Sequence, residues 1–143
     1  MSDIATGHIH PNGGGWVADT ASVDDTAYVG KGATIGKGAT VGEDAIVGKG
    51  AIVRAHASVG AHTFIGEYAI IGDGAIVGAD TSVGENARVG AHAYVGKGAT
   101  IGKGAIVGAD TTVGTHTFLG KGARVGAHTI VGDGAHVGKE SRS

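Results

Sequence analysis

The chain has 143 residues, a net charge of −2, 30 glycines, one proline and no cysteine. That is one domain's worth of sequence, with no basic stripe for nucleic acid, no disulfide, no thiol nucleophile and no Cys-based zinc site. Collagen would need glycine at every third residue and abundant proline, and no apolar run approaches the length of a membrane span.

Residues 1–16 follow no repeat. Residues 1–10 lack the long apolar core of a signal peptide, and a cytoplasmic location is expected. Gly13-Gly14-Gly15 precedes extended segments, whereas a phosphate-binding loop opens onto a helix, so that reading is discarded. The segment reads as an N-terminal cap, with Ile4, Ile9 or Trp16 covering the first edge of the domain.

From Val17 to Arg142 the sequence runs in 21 blocks of six without insertion or deletion. Position one is Val, Ile or Leu in all 21; position two is Gly in 18, the exceptions being Ala18, Asp24 and Arg54. Position five is Ala in 15 blocks, Thr in five and Ser in one, Ser141. A disordered linker would not hold three columns this strictly. A period of six drifts around a 3.6-residue helix, and each helical glycine would cost about 1 kcal/mol. Short extended segments fit: a β-branched residue at position one suits a buried pleated surface. Glycine at position two allows either close approach or unusual backbone angles. Position four is Gly in eight blocks and Asn, Asp or His in others, types that tolerate the left-handed angles of a corner. Each block is therefore one short strand plus one turn, and blocks must coil and stack to bury a face. The last residues include Lys139, Glu140 and Arg142, which read as charged gatekeepers of an edge without a helical cap.

This pattern, aliphatic–Gly–two variable–small–variable, resembles the hexapeptide-repeat family across 17–143. The resemblance implies an all-β fold, a left-handed parallel β-helix of triangular section with three blocks per 18-residue coil, hence about seven coils. At about 4.8 Å per coil the prism is roughly 30 Å long. In this register Val53, Ile71 and Val89 stack in one inward column and Arg54 points outward. Replacing Ile71 with Asp should be severely destabilising, since a charge would enter a dry stack without a partner.

The family's enzymes are acyltransferases and gamma-class carbonic anhydrases, usually trimers with sites between subunits. The acyltransferase reading asks for a general-base histidine beside a walled pocket. Five histidines, His56, His62, His92, His116 and His128, occupy position four, where conformational preference accounts for them; His136 lies elsewhere in the repeat. Their position-three neighbours are small, and Asp110, one coil from both His92 and His128, is the evident corner partner. The carbonic anhydrase pattern needs an Arg-Gly-Asp-like segment and a histidine pair five residues apart. Arg54-Ala55-His56 lacks the Gly and Asp, and no histidine pair has that spacing. His56, His92 and His128 share a corner two coils apart, about 9–10 Å, too far for one zinc with bonds of about 2.0–2.1 Å. A three-fold axis along that corner would bring together three copies of each. Threonines Thr34, Thr40, Thr100 and Thr112 form no continuous row for ice binding. At position six, Ile46–Phe64, Ile52–Ile70 and Ile76–Tyr94 stack as apolar pairs of the kind that mark subunit contacts.

Functional sites usually break local rules, and here almost none is broken. The sequence thus reads first as a structural solenoid or scaffold without an active site, as regular as a consensus-derived or engineered repeat. The alternative is an acyltransferase-like trimer with a site between subunits. No catalytic residue, cofactor or metal ligand is assigned, and a homo-oligomer, with a trimer favoured, is the expected partner state. On this reading the chain transfers no acetyl group from acetyl-CoA to small amines or alcohols and, given zinc, does not hydrate carbon dioxide.

Overall fold

The structure, a computed structural model, describes residues 6–138. The described residues form a left-handed parallel β-helix, with no helical segment among them. Strands β1 (Gly7–Ile9), β2 (Trp16–Ala18), β3 (Ser22–Val23) and β4 (Tyr28–Val29) open it. Strands β5 to β22 come next at six-residue intervals from Thr34–Ile35 to His136–Val137, each the position-six and position-one dipeptide of its block. They stack into three sheets. The first face runs β1-β2-β5-β8-β11-β14-β17-β20, the second from β3 to β21 and the third from β4 to β22. Parallel neighbours in each face are 18 residues apart, as in Phe64 beside Ile46 and Ser82.

Position one fills the interior. Val53, Ile71 and Val89 pair in register and are buried, while Arg54 is exposed. Position five lines the corners from inside. Its threonines are satisfied where buried: Thr63, Thr81, Thr111 and Thr117 each donate from Oγ1 to the position-two carbonyl of the next coil at 2.9–3.2 Å. No buried side-chain polar atom among the described residues lacks a partner.

The structure separates the two glycine columns that sequence treats alike. Position four takes the left-handed backbone throughout 32–134, with eight glycines and ten non-glycine residues at positive φ. Position two does not; there a Cβ would strike the next coil, as at Gly90, where it would stand 2.5 Å from the Ala109 nitrogen. The column is glycine because backbones meet.

The first coil departs from this rule for a chemical reason. Thr20 and Thr26 occupy position four but are β-branched and avoid the left-handed region. Their hydroxyls accept the N–H groups of Gly38 and Asp44 at 3.0 and 2.8 Å. In later coils that N–H reaches a position-three carbonyl instead, as from His56 to Lys37.

At the start of the chain β1 pairs antiparallel with β2, closing the edge of the first face. The Asn12 carbonyl accepts the Val29 N–H, and the Gly15 N–H donates back to the Val29 carbonyl, closing the third face. Among the residues expected to cover this end, Ile9 does not: it is 60% exposed, and Trp16 is half-buried. His10 is buried instead, with Nε2 donating to the Ala27 carbonyl at 2.9 Å. Ile4, and the gatekeepers Lys139, Glu140 and Arg142, lie outside the described residues.

Candidate functional site

The corners carry the histidines, and each corner histidine lies over the position-four residue of the coil before. A Cβ on Gly38, Gly74 or Gly98 would come within 2.5–2.7 Å of Nδ1 of His56, His92 or His116. Tyr68 lies over Gly50 in the same way. The other two histidines stand over a carboxylate. His62 Nδ1 is 3.7 Å from Asp44 Oδ2, and His128 Nδ1 is 4.0 Å from Asp110 Oδ2. All four side chains are at least half exposed.

Sequence reasoning found the second pair and missed the first. The signal was present: Asp44 precedes His62 by one 18-residue coil, as Asp110 precedes His128. His92 lies on the other side of Asp110, over Gly74, and is not joined to Asp110 by an ion pair. His56, His92 and His128 share one corner at alternate coils, as the register requires. His136 stacks on Phe118 at 5.4 Å between ring centroids.

At 3.7 and 4.0 Å these are charge contacts longer than a hydrogen bond, between side chains that solvent reaches. Glu43 joins the first pair: ligand atoms of Glu43, Asp44 and His62 lie within 4.8 Å of one another, all on exposed residues. These are hard oxygen donors and one imidazole, a mixed set with no burial to exclude water.

Two open depressions mark the surface. One lies along the third face and its exit corner, lined by Tyr28, Ile46, Phe64, Lys31, Lys49 and Glu67. The other involves Arg54, Ile70, Asp73 and Arg88 on the first face. Neither of these two depressions is lined by a histidine.

The family profile of the GMPPB C-terminal domain matches residues 15–97, more than half the chain. That of the bacterial transferase hexapeptide (six repeats) matches 80–115, and that of the hexapeptide repeat of succinyl-transferase matches 110–139. The chain belongs to the hexapeptide-repeat family, within the reach of the GMPPB C-terminal domain. No curated protein matches this hexapeptide-repeat chain. Among solved structures it is similar to a Bacillus cereus protein described as an acetyltransferase, at 19% identity and TM-score 0.75, covering 79% of this chain and 69% of that one. The acetyltransferase domain of PglB from Neisseria gonorrhoeae, in complex with acetyl coenzyme A, matches at 23% identity and TM-score 0.57, over 91% of this chain and 55% of that one. GDP-perosamine N-acetyltransferase from Caulobacter crescentus matches at 24% identity and TM-score 0.56, over 87% and 52%. The hexapeptide-repeat chain thus spans about half the length of the last two. These likenesses establish the fold. All three lie below 25% identity.

Proposed function

We propose that this chain is an acyltransferase-like hexapeptide-repeat protein, assembled as a homotrimer, whose acceptor site forms between copies beside His62 and Asp44. The observation that carries the reading is the 3.7 Å approach of Asp44 Oδ2 to His62 Nδ1 on a fold shared with acetyltransferases. Asp44 orients the imidazole and balances the charge it acquires during transfer. His62 Nε2 takes a proton from the acceptor amine or hydroxyl as that group attacks the thioester carbonyl of acetyl-CoA. The carbon–sulfur bond breaks, and the proton passes to the departing thiolate. The missing wall of the pocket is assigned to a second copy, because the repeat runs without an excursion loop. The likeness to an N-acetyltransferase of a nucleotide-linked sugar supports an amino sugar as the acceptor class.

The test is acetyl transfer from acetyl-CoA to a panel of free and nucleotide-linked amino sugars. Wild-type protein should exceed buffer. His62→Ala should lower the rate by about 10²-fold, within the range for general-base catalysis, with His128→Ala close to wild type. A folded wild-type protein inert toward the whole panel, or a rate untouched by His62→Ala, overturns the proposal.

A second reading, a solenoid scaffold, is favoured by one observation: each corner histidine has a packing partner beneath it, a glycine or an aspartate. Inertness across the panel is its expected outcome.

A further inference from the structure

The third face carries a continuous apolar stripe over its first three coils, with one further exposed apolar residue, Phe118, in its sixth. Tyr28, Ile46 and Phe64 pair directly down the sheet and are 42%, 42% and 46% exposed. Above them the column turns polar, with Ser82 and Thr100. The two corners bounding this stripe carry opposite charge. Asp25, Glu43 and Asp44 lie at the corner where the chain enters the face; Lys31 and Lys49 lie at the corner where it leaves, lining the same depression as the stripe. In the third coil the order reverses, with His62 at the entry corner and Glu67 at the exit.

We infer that this face is a two-fold contact between two copies of the chain. A two-fold axis parallel to the solenoid axis lays the face on itself with strand directions opposed. Each entry corner then meets an exit corner at the same coil level. Lys31 faces Asp25 of the second copy, Lys49 faces Glu43 and Asp44, and Glu67 faces His62. Tyr28, Ile46 and Phe64 pack against their own counterparts. Such a patch is self-complementary, as a closed dimer requires. The alternative two-fold, along the strands and centred on Ile46, would set Lys49 against Lys49 and Glu43 and Asp44 against their own counterparts in the middle of the contact. Beyond the third coil the corner charges oppose the contact. In the fourth coil Asp80 would meet Glu85, and in the fifth Lys97 would meet Lys103. Lys103 is already paired with Glu85 of its own chain at 3.5 Å. The contact covers the corner that carries His62 and Asp44, so it and the acceptor site proposed above exclude one another, and the mass and activity measurements tell them apart.

The experiment is light scattering of the full chain at micromolar concentration, with melting curves to verify folding. The wild-type mass should be an even number of chains. Phe64→Asp should halve it, as should Lys31→Glu with Lys49→Glu, or Asp25→Lys with Glu43→Lys. If a three-fold contact also operates, the fall is from six chains to three. The two charge-reversed proteins should each fail to pair alone, and an equimolar mixture should restore the wild-type mass, since each reversed position then meets a reversed position of opposite charge and only Asp44 of one copy is left facing a like charge. The charge variants alter only exposed side chains and carry the test if Phe64→Asp misfolds. A wild-type mass of one or three chains, a mass unchanged by the substitutions, or a mixture that stays dissociated overturns the inference.

Discussion

His56 lies over Gly38, and a Cβ on Gly38 would stand 2.5 Å from His56 Nδ1 and 2.7 Å from Cε1. The imidazole thus occupies the space that glycine leaves open one coil earlier. Gly38 also has φ of +69°. Gly38→Ala therefore meets two costs, left-handed strain of about 1–2 kcal/mol and displacement of the ring. Adding His56→Ala should recover the second and leave the first. Urea denaturation of both single variants and the double variant measures the coupling; strict additivity would show that the ring does not matter.

Glycine at position two acts through backbone proximity. Gly90→Ala should lower the melting temperature strongly, because its Cβ would lie 2.5 Å from the Ala109 nitrogen and 2.7 Å from the Gly108 carbonyl carbon. Gly132, in the same column, has nothing within 4 Å of such a Cβ. Gly132→Ala should be close to neutral by the same measurement. Equal losses at the two sites would contradict this account of the column.

Threonine and alanine corners differ in a way that hydrogen exchange can read. The N–H of position five donates to the position-two carbonyl of its own turn at all 15 alanine corners and at none of the five threonine corners. At Thr63 the hydroxyl instead reaches Gly78 O of the next coil at 3.0 Å. In Thr63→Ala the amide at residue 63 should regain its turn bond and exchange about fivefold more slowly, for a net bond of about 1 kcal/mol. Unchanged or faster exchange would count against this.

Asp24 lies at one of the three non-glycine position-two sites. The side-chain hydrogen bond from Thr26 Oγ1, and then the Thr26 backbone N–H, hold its carboxyl below the ordinary carboxylate range. A carboxylate depressed in the folded state contributes stability above its unfolded pKa, and that contribution is lost as pH falls through the folded pKa. Removing the hydroxyl in Thr26→Ala should raise the Asp24 pKa toward the ordinary value, followed by NMR titration of its carboxyl. An unmoved titration would mean that the hydroxyl is not the cause.

Much of the fold was legible in the sequence because the repeat is one-dimensional. A block of six with fixed aliphatic, glycine and small columns leaves one arrangement that buries position one, so the register of Val53, Ile71 and Val89 came from counting. Position four was legible too, since glycine, asparagine, aspartate and histidine tolerate a left-handed corner. The two glycine columns were not separable, because composition does not distinguish a backbone that turns from one that is crowded. Nor was the cap: His10 and Ile9 are adjacent in sequence, and only the path of the chain around Ala27 decides that the imidazole is buried and the isoleucine exposed. Asp44 and His62 were in plain view at an 18-residue spacing, yet their approach depends on which way the corner side chains lean. A repeat dictates which residues share a column by covalent spacing alone. Which of them touch depends on side-chain direction and the gap between coils, and only the tertiary structure sets those.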